Sequence, residues 1–204
     1  MFNSGISVKD LVEELNAEVD IALDIPNSTY VQWLNSLQQL LYTEVIKEQK
    51  KIAIKTSNEN TISISSIVVD TNEDRPRFED IYAIYADDTQ LIKSSLTSGV
   101  IFPNTYYKDN NNIGYHTETV PDELTIVYIV RPALITTTSH KNINETDVVM
   151  VPVEFIDLVK AKLRGEAYKL ANEDNLSAKW LNDYNILLET FKAWISDKSH
   201  NFGI

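Results

Sequence analysis

Apolar residues recur at helical spacing through the first fifty positions. Val8, Leu11, Val12 and Leu15 form one stripe, and Ser7 stands three places before Asp10, a capping-box arrangement with Asp in place of the usual Glu. A helix is predicted over 8–16. A loop with Pro26 follows, and Asn27 or Ser28 can cap a second helix running to about Glu48. Its stripe is Tyr30, Leu34, Leu37, Leu41 and Val45, widened by Trp33 and Leu40. From Ile52 to Ile135 the period falls to two. Ile52, Ile54, Ile62 and Ile64 alternate with polar residues, and 67–69, 81–85 and 124–130 are short β-branched and aromatic runs. Tyr106 and Tyr107, then Asn110-Asn111-Asn112, then Gly114 and Tyr115 predict a hairpin with a polar tip.

Helical spacing returns after a polar stretch at 136–147. Pro152 stands where a first helical residue would, its missing N–H costing nothing there. Ile156, Val159, Leu163, Ala167 and Leu170 form the third stripe. Trp180, Tyr184, Leu187, Phe191 and Trp194 form the fourth, flanked by Leu181, Leu188 and Ile195. This aromatic stripe is read as core, and the tail from Ser196 to Ile204 as mobile. The short turn at 172–175 makes the last two helices antiparallel. Because the second helix carries an equally strong stripe and needs cover, the expected fold is α+β. An antiparallel helical bundle from residues 1–50 and 148–204 carries a β-rich subdomain, 51–147, inserted between the second and third long helices. The whole forms a single composite domain.

Composition narrows the function classes. The 204 residues hold no cysteine, so disulfide scaffolds, Cys-ligated zinc and thiol catalysis are excluded. No apolar run approaches membrane-spanning length. Met1 to Ser7 has no positive charge and no apolar run, so no signal peptide is expected and the cytosol is the default compartment. The formal charge of −12 predicts a soluble protein that repels phosphates. The densest basic stretch, Lys47 to Lys55, reads as the charged end of a helix.

Candidate chemistry is sparse. Tyr85-Ala86-Asp87-Asp88 resembles the Tyr-x-Asp-Asp turn of reverse transcriptases, where carboxylates hold two Mg²⁺ ions, and Asp70 or Asp80 could nominally supply a third carboxylate. A polymerase palm with fingers and thumb does not fit in this chain, and the net charge is wrong for a template channel. The turn is therefore read as a strand ending in polar residues. His116, His140 and His200 are far apart and suggest no metal site. With five glycines and no nucleotide-binding or nucleophile-elbow motif, no cofactor and no catalysis are expected.

Four stretches carry a family resemblance: the short helix opened by Ser7-Val-Lys-Asp-Leu-Val12; Tyr30-Val-Gln-Trp33-Leu34-Asn35 with Leu41-Tyr42 following; the strand Leu124 to Arg131-Pro132; and Val151-Pro152-Val-Glu-Phe155 with Trp180-Leu-x-x-Tyr184 in the last helix. In layout the chain resembles the head-to-tail adaptor (connector) proteins of tailed bacteriophages, departing from them in its long middle segment. The resemblance implies a virion structural protein at the head–tail interface, made in the host cytoplasm. It would bind the portal protein, form a ring of about twelve copies and meet downstream tail or neck proteins. DNA would pass through the ring without specific binding. An acidic channel wall suits that passage, since repulsion lowers phosphate affinity during ejection. By the same resemblance Trp194, Phe202 and Ile204 are the candidate portal-docking residues. The rival readings are another neck or tail-completion part (a stopper or a tail terminator), a metal-dependent nucleic-acid enzyme using Asp87 and Asp88, and a cellular interaction module.

Overall fold

The computed structural model describes residues 4–19, 24–56, 60–69, 73–94, 102–139, 142–143 and 146–202, the side chains of 138, 139, 142 and 199–202 excepted. The chain divides into two compact units, one of residues 1–46 with 134–204 and one of residues 47–133. Each has its own apolar core.

Among the described residues the first unit holds four α-helices. Helix α1 (Val8–Glu18) starts at Ser7, whose Oγ accepts the Asp10 N–H at 3.0 Å, satisfying one of the unpaired donors of the first turn. Helix α2 (Asn27–Leu40) follows Pro26 and continues into a π-helical turn, Leu41–Ile46. Helix α3 (Ile156–Leu170) follows a single 3₁₀ turn at Val153–Phe155, and Pro152 stands just ahead of that turn. Helix α4 (Asp174–Phe202) spans 29 residues, about 43 Å at 1.5 Å per residue. It takes in residues 196–202 of the segment predicted as a mobile tail; 203 and 204 lie outside the described residues.

The α3–α4 junction is a Schellman turn. The Glu173 N–H donates to the Tyr168 carbonyl at 2.9 Å and the Asn172 N–H to the Lys169 carbonyl at 3.1 Å, with Asn172 left-handed at φ 60°. The two helices then approach closely at Gly165. A Cβ there would lie 2.7 Å from Leu181 Cδ2, and the Gly165 carbonyl accepts the buried Ser177 hydroxyl at 3.0 Å. Lys160 and Arg164 of α3 pair with Glu14 and Glu18 of α1.

The second unit is a curled, half-barrel sheet of seven strands. Its strands are β1 (Gln49–Lys55), β2 (Thr61–Ser63), β4 (Ile81–Ala86), β5 (Thr89–Lys93), β6 (Thr105–Asp109), β7 (Asn112–His116) and β8 (Glu123–Ile129), in the order β1-β8-β4-β5-β6-β7-β2. All neighbours are antiparallel except β5 and β6. Two short ribbons complete the strands. In the same unit β3 (Glu73–Asp74) pairs with β9 (Arg131–Pro132); in the first unit β10 (Thr137–Ser139) pairs with β11 (Asn142–Ile143). A bulge at Tyr82 shifts the β4–β8 register, so that Ile81 and Ile84, an odd number of residues apart, both reach the core. Across the strands Tyr107 lies over Gly114; a Cβ at 114 would fall 2.3 Å from its ring, so a larger residue there would push the ring aside.

The predicted helical bundle with an inserted subdomain is not what forms. The architecture is mixed: a seven-stranded sheet from the middle of the chain, and four helices from its ends. Two physical reasons account for the difference. The strands from Gln49 to Ile129 close into one continuous sheet that buries a core of its own, so the middle is a principal layer. The helical stripes, meanwhile, do not need to cover only one another. Ile135, Ile143, Val149 and Val151 come from extended chain and join the same core as α1 and α2. Asn35 of α2 holds that chain like a strand partner, its amide donating to the Ile135 carbonyl at 2.9 Å and accepting the Ile135 N–H at 3.0 Å. Gln38, fully buried, accepts the Met150 N–H at 2.6 Å.

The basic stretch from Lys47 to Lys55, read as a helix end, is instead mostly the edge strand β1, which begins at Gln49. Its exposed face shows Gln49, Lys51, Ala53 and Lys55 in turn. Lysines along an open edge resist strand-to-strand aggregation, because pairing would bury their charge.

Candidate functional site

Three places in the molecule have a claim to function. The first is the Asp87-Asp88 turn. These residues join β4 to β5 in a two-residue hairpin, with Ala86 opposite Thr89 and Asp87 left-handed at φ 48°. Asp87 Oδ1 accepts the backbone N–H groups of Asp122 and Glu123, each at 3.2 Å, and the Asp87 N–H donates to the Glu123 carbonyl at 3.0 Å. The carboxylate thus holds the start of β8 against the hairpin. Asp80, one nominal third ligand, is buried near the other end of β4. Its Oδ1 accepts from Arg131 Nε at 2.7 Å and from Arg131 Nη2, and its Oδ2 accepts the Arg77 N–H at 2.8 Å. The motif therefore does not gather its carboxylates at one point. Asp70, the other nominal ligand, lies outside the described residues. Among the described residues no group of three His, Asp or Glu side chains could hold a metal ion. His116 is half-buried at the end of β7; His140 and the side chain of His200 lie outside the described residues.

The second place is the apolar seam of α4. It repeats every seven residues: Ser177, Tyr184 and Phe191 are buried, while Trp180, Leu187 and Trp194, with Leu181, Leu188 and Ile195, are half-buried. Helix α3 has 15 residues against 29 in α4, so it covers only the first part of the seam. Further along, Phe191 and Trp194 pack on Phe155 with ring centroids 4.8 and 5.2 Å away. Arg164 stacks over Trp180 and Lys198 over Trp194, each at cation–π distance. Of the docking residues suggested by resemblance, Trp194 sits half-buried in this cluster. The side chain of Phe202 and all of Ile204 lie outside the described residues. Leu176 and Ile186, on the outer side of α4, are exposed. Burial raises the Tyr184 phenol above its ordinary pKa, as expected for a ring facing core.

The third place was not found in the sequence. A cleft of about 410 Å³ opens between the 75–79 loop and the β6–β7 turn. Ile64, Pro76 and the buried Phe78 supply apolar surface, and Arg75, Arg77 and Lys108 line it with positive charge. Lys93 and Lys108 lie 4.7 and 5.9 Å from the centre of the Phe78 ring. Lys108 also bonds Glu79 at 2.7 Å, which holds the Glu79 carboxyl below its usual range. Among the described residues Arg75 and Arg77 form no ion pair, unlike Arg131 and Arg164. The chain has few cations, and this cleft concentrates several that are spread over more than thirty positions in sequence.

No protein-family model matches the chain, and a search of curated proteins returns no match. Among the described residues no helix is long and apolar enough to cross a membrane.

Proposed function

We propose that the protein is a structural component of a tailed-bacteriophage virion, a head-to-tail adaptor. It docks on the portal, stands among copies of itself in a ring and extends the DNA channel toward the tail. The observation that carries this reading is α4. It outruns its helical partner by 14 residues, its flanking Trp180, Leu187, Trp194 and Ile195 are only half-buried, and Leu176 and Ile186 are open on its outer side. A long helix with an incompletely covered seam suits docking into a groove of a larger protein. The charge of −12 suits a surface along which a phosphate backbone slides. The engagement of Asp87 by backbone N–H groups weighs against the metal-dependent enzyme reading.

The test is attachment to the purified portal, followed by electron microscopy. Deleting residues 197–204 is expected to lower the far-UV helical signal by no more than the last turns of α4 and to leave the melting temperature unchanged, while abolishing attachment. Ile186→Glu is expected to weaken it. Attachment unchanged in both variants removes α4 from the interface, and absence of the protein from virion necks ends the reading.

A further inference from the structure

The basic cleft has a counterpart at the far end of the same strands. Strand β4 leaves the cleft loop, which ends in the 3₁₀ turn Phe78–Asp80, and finishes about 20 Å away at the Asp87-Asp88 turn, at about 3.3 Å per residue. Strand β5 returns to Lys93, which reaches over Phe78. Asp87, Asp88 and Asp122 are all exposed at the acidic end, and the hydrogen bonds from Asp87 to the 122–123 backbone hold them together. The sheet unit is therefore charge-polarised along β4 and β5: carboxylates gather at one end, and at the other Arg75, Arg77, Lys93 and Lys108 outnumber Glu79, which Lys108 already pairs. The two ends face in different directions, so one molecule cannot satisfy both, but a neighbour can.

We propose that the cleft formed by Arg75, Arg77, Phe78 and Lys108 is a socket for the acidic Asp87-Asp88 turn of a second copy of this chain. Guanidinium forks match carboxylates two hydrogen bonds at a time, and a two-residue turn presents its carboxylates on a narrow tip. A cleft of about 410 Å³ accommodates a few side chains, not a duplex. Socket and turn lie on different surfaces, so the contact is heterologous: it closes into a ring or runs on as a filament, according to the angle between copies. This goes beyond the adaptor reading. Self-association through the sheet unit is read from mass alone and needs no portal.

Sedimentation of the full chain tests it, at about 20 mM and about 300 mM salt, where the screening length differs several-fold. The wild type is expected to gain mass with concentration at low salt and to lose that gain at high salt. Arg75→Glu with Arg77→Glu, and separately Asp88→Lys with Asp122→Lys, are each expected to stay monomeric. Mixing the two variants is expected to restore association, since each then offers the other complementary charges. That restoration also shows that both variants are folded. A wild type monomeric at both salts, association indifferent to the Arg75 and Arg77 changes, or a mixture that stays monomeric would each overturn the proposal. So would a cleft variant that loses binding of a labelled DNA duplex while self-association persists.

Discussion

Asp80→Ala should be the most damaging single change in the sheet unit. Asp80 is 3% exposed and holds two things at once: the Arg131 side chain through Oδ1 and the Arg77 N–H, at the start of the 3₁₀ turn, through Oδ2. Arg131 is itself largely buried, and its backbone pairs β9 with β3. Removing the carboxylate takes a buried ion-pair partner away from the Arg131 guanidinium, which costs about 3–5 kcal/mol. Losing the hydrogen bond to the turn adds about 1 kcal/mol. Arg131→Met alone strands the carboxylate instead and costs a similar amount. The double variant removes both charges and is expected to lose less than the sum of the singles, by about 2 kcal/mol or more. Urea unfolding followed by far-UV circular dichroism measures this. Tryptophan emission is the wrong probe, because all three tryptophans (Trp33, Trp180 and Trp194) lie in the helical unit. A loss below about 1 kcal/mol for Asp80→Ala, or simple additivity in the double variant, would refute the idea that a desolvated ion pair fastens β3 and β9.

Three further outcomes are expected. Phe191→Ala removes a fully buried ring that packs on Phe155, and should cost about 3–5 kcal/mol in denaturant unfolding read by Trp194 emission; the half-buried Trp180 should cost less. Asn172→Ala should lower stability by about 1 kcal/mol while Asn172→Gly leaves it equal or higher, because the left-handed Schellman position penalises Cβ; equal melting of the two variants would count against that geometry. Alkaline unfolding should set in between pH 10 and pH 12. Burial, with Tyr168 adding to it, pushes the Tyr30 phenol up to about 12, so its contribution is complete below pH 10 and is lost as the pH rises through 12. Tyr30→Phe should blunt that loss in a pH titration followed by circular dichroism.

What the chain declares locally, the structure repeats. The Ser7 cap, the asparagine tip of the β6–β7 hairpin, the antiparallel turn at Asn172 and the stripes of α1 to α4, apart from Leu40 and Leu170, which are exposed, all lie within a few residues of the pattern that predicts them. Periodicity and capping act over one or two turns, so a sequence window contains their whole cause. The end of α4 was missed because the polar residues after Ile195 lack the seam that marks the rest of the helix. The larger errors have a different origin. That β1 pairs with β8, that Asp80 meets Arg131 across 51 positions, and that Ile135 and Val149 join the helices in covering α2 are outcomes of long-range register and chain return. No local pattern encodes them. Many strand orders satisfy the same alternation, and the one adopted depends on which pairing buries most apolar surface while satisfying the backbone. The basic cleft belongs to that second class. Arg75, Arg77, Lys93 and Lys108 are unremarkable in the sequence and become a site only when the sheet brings the 75–79 loop beside the β6–β7 turn.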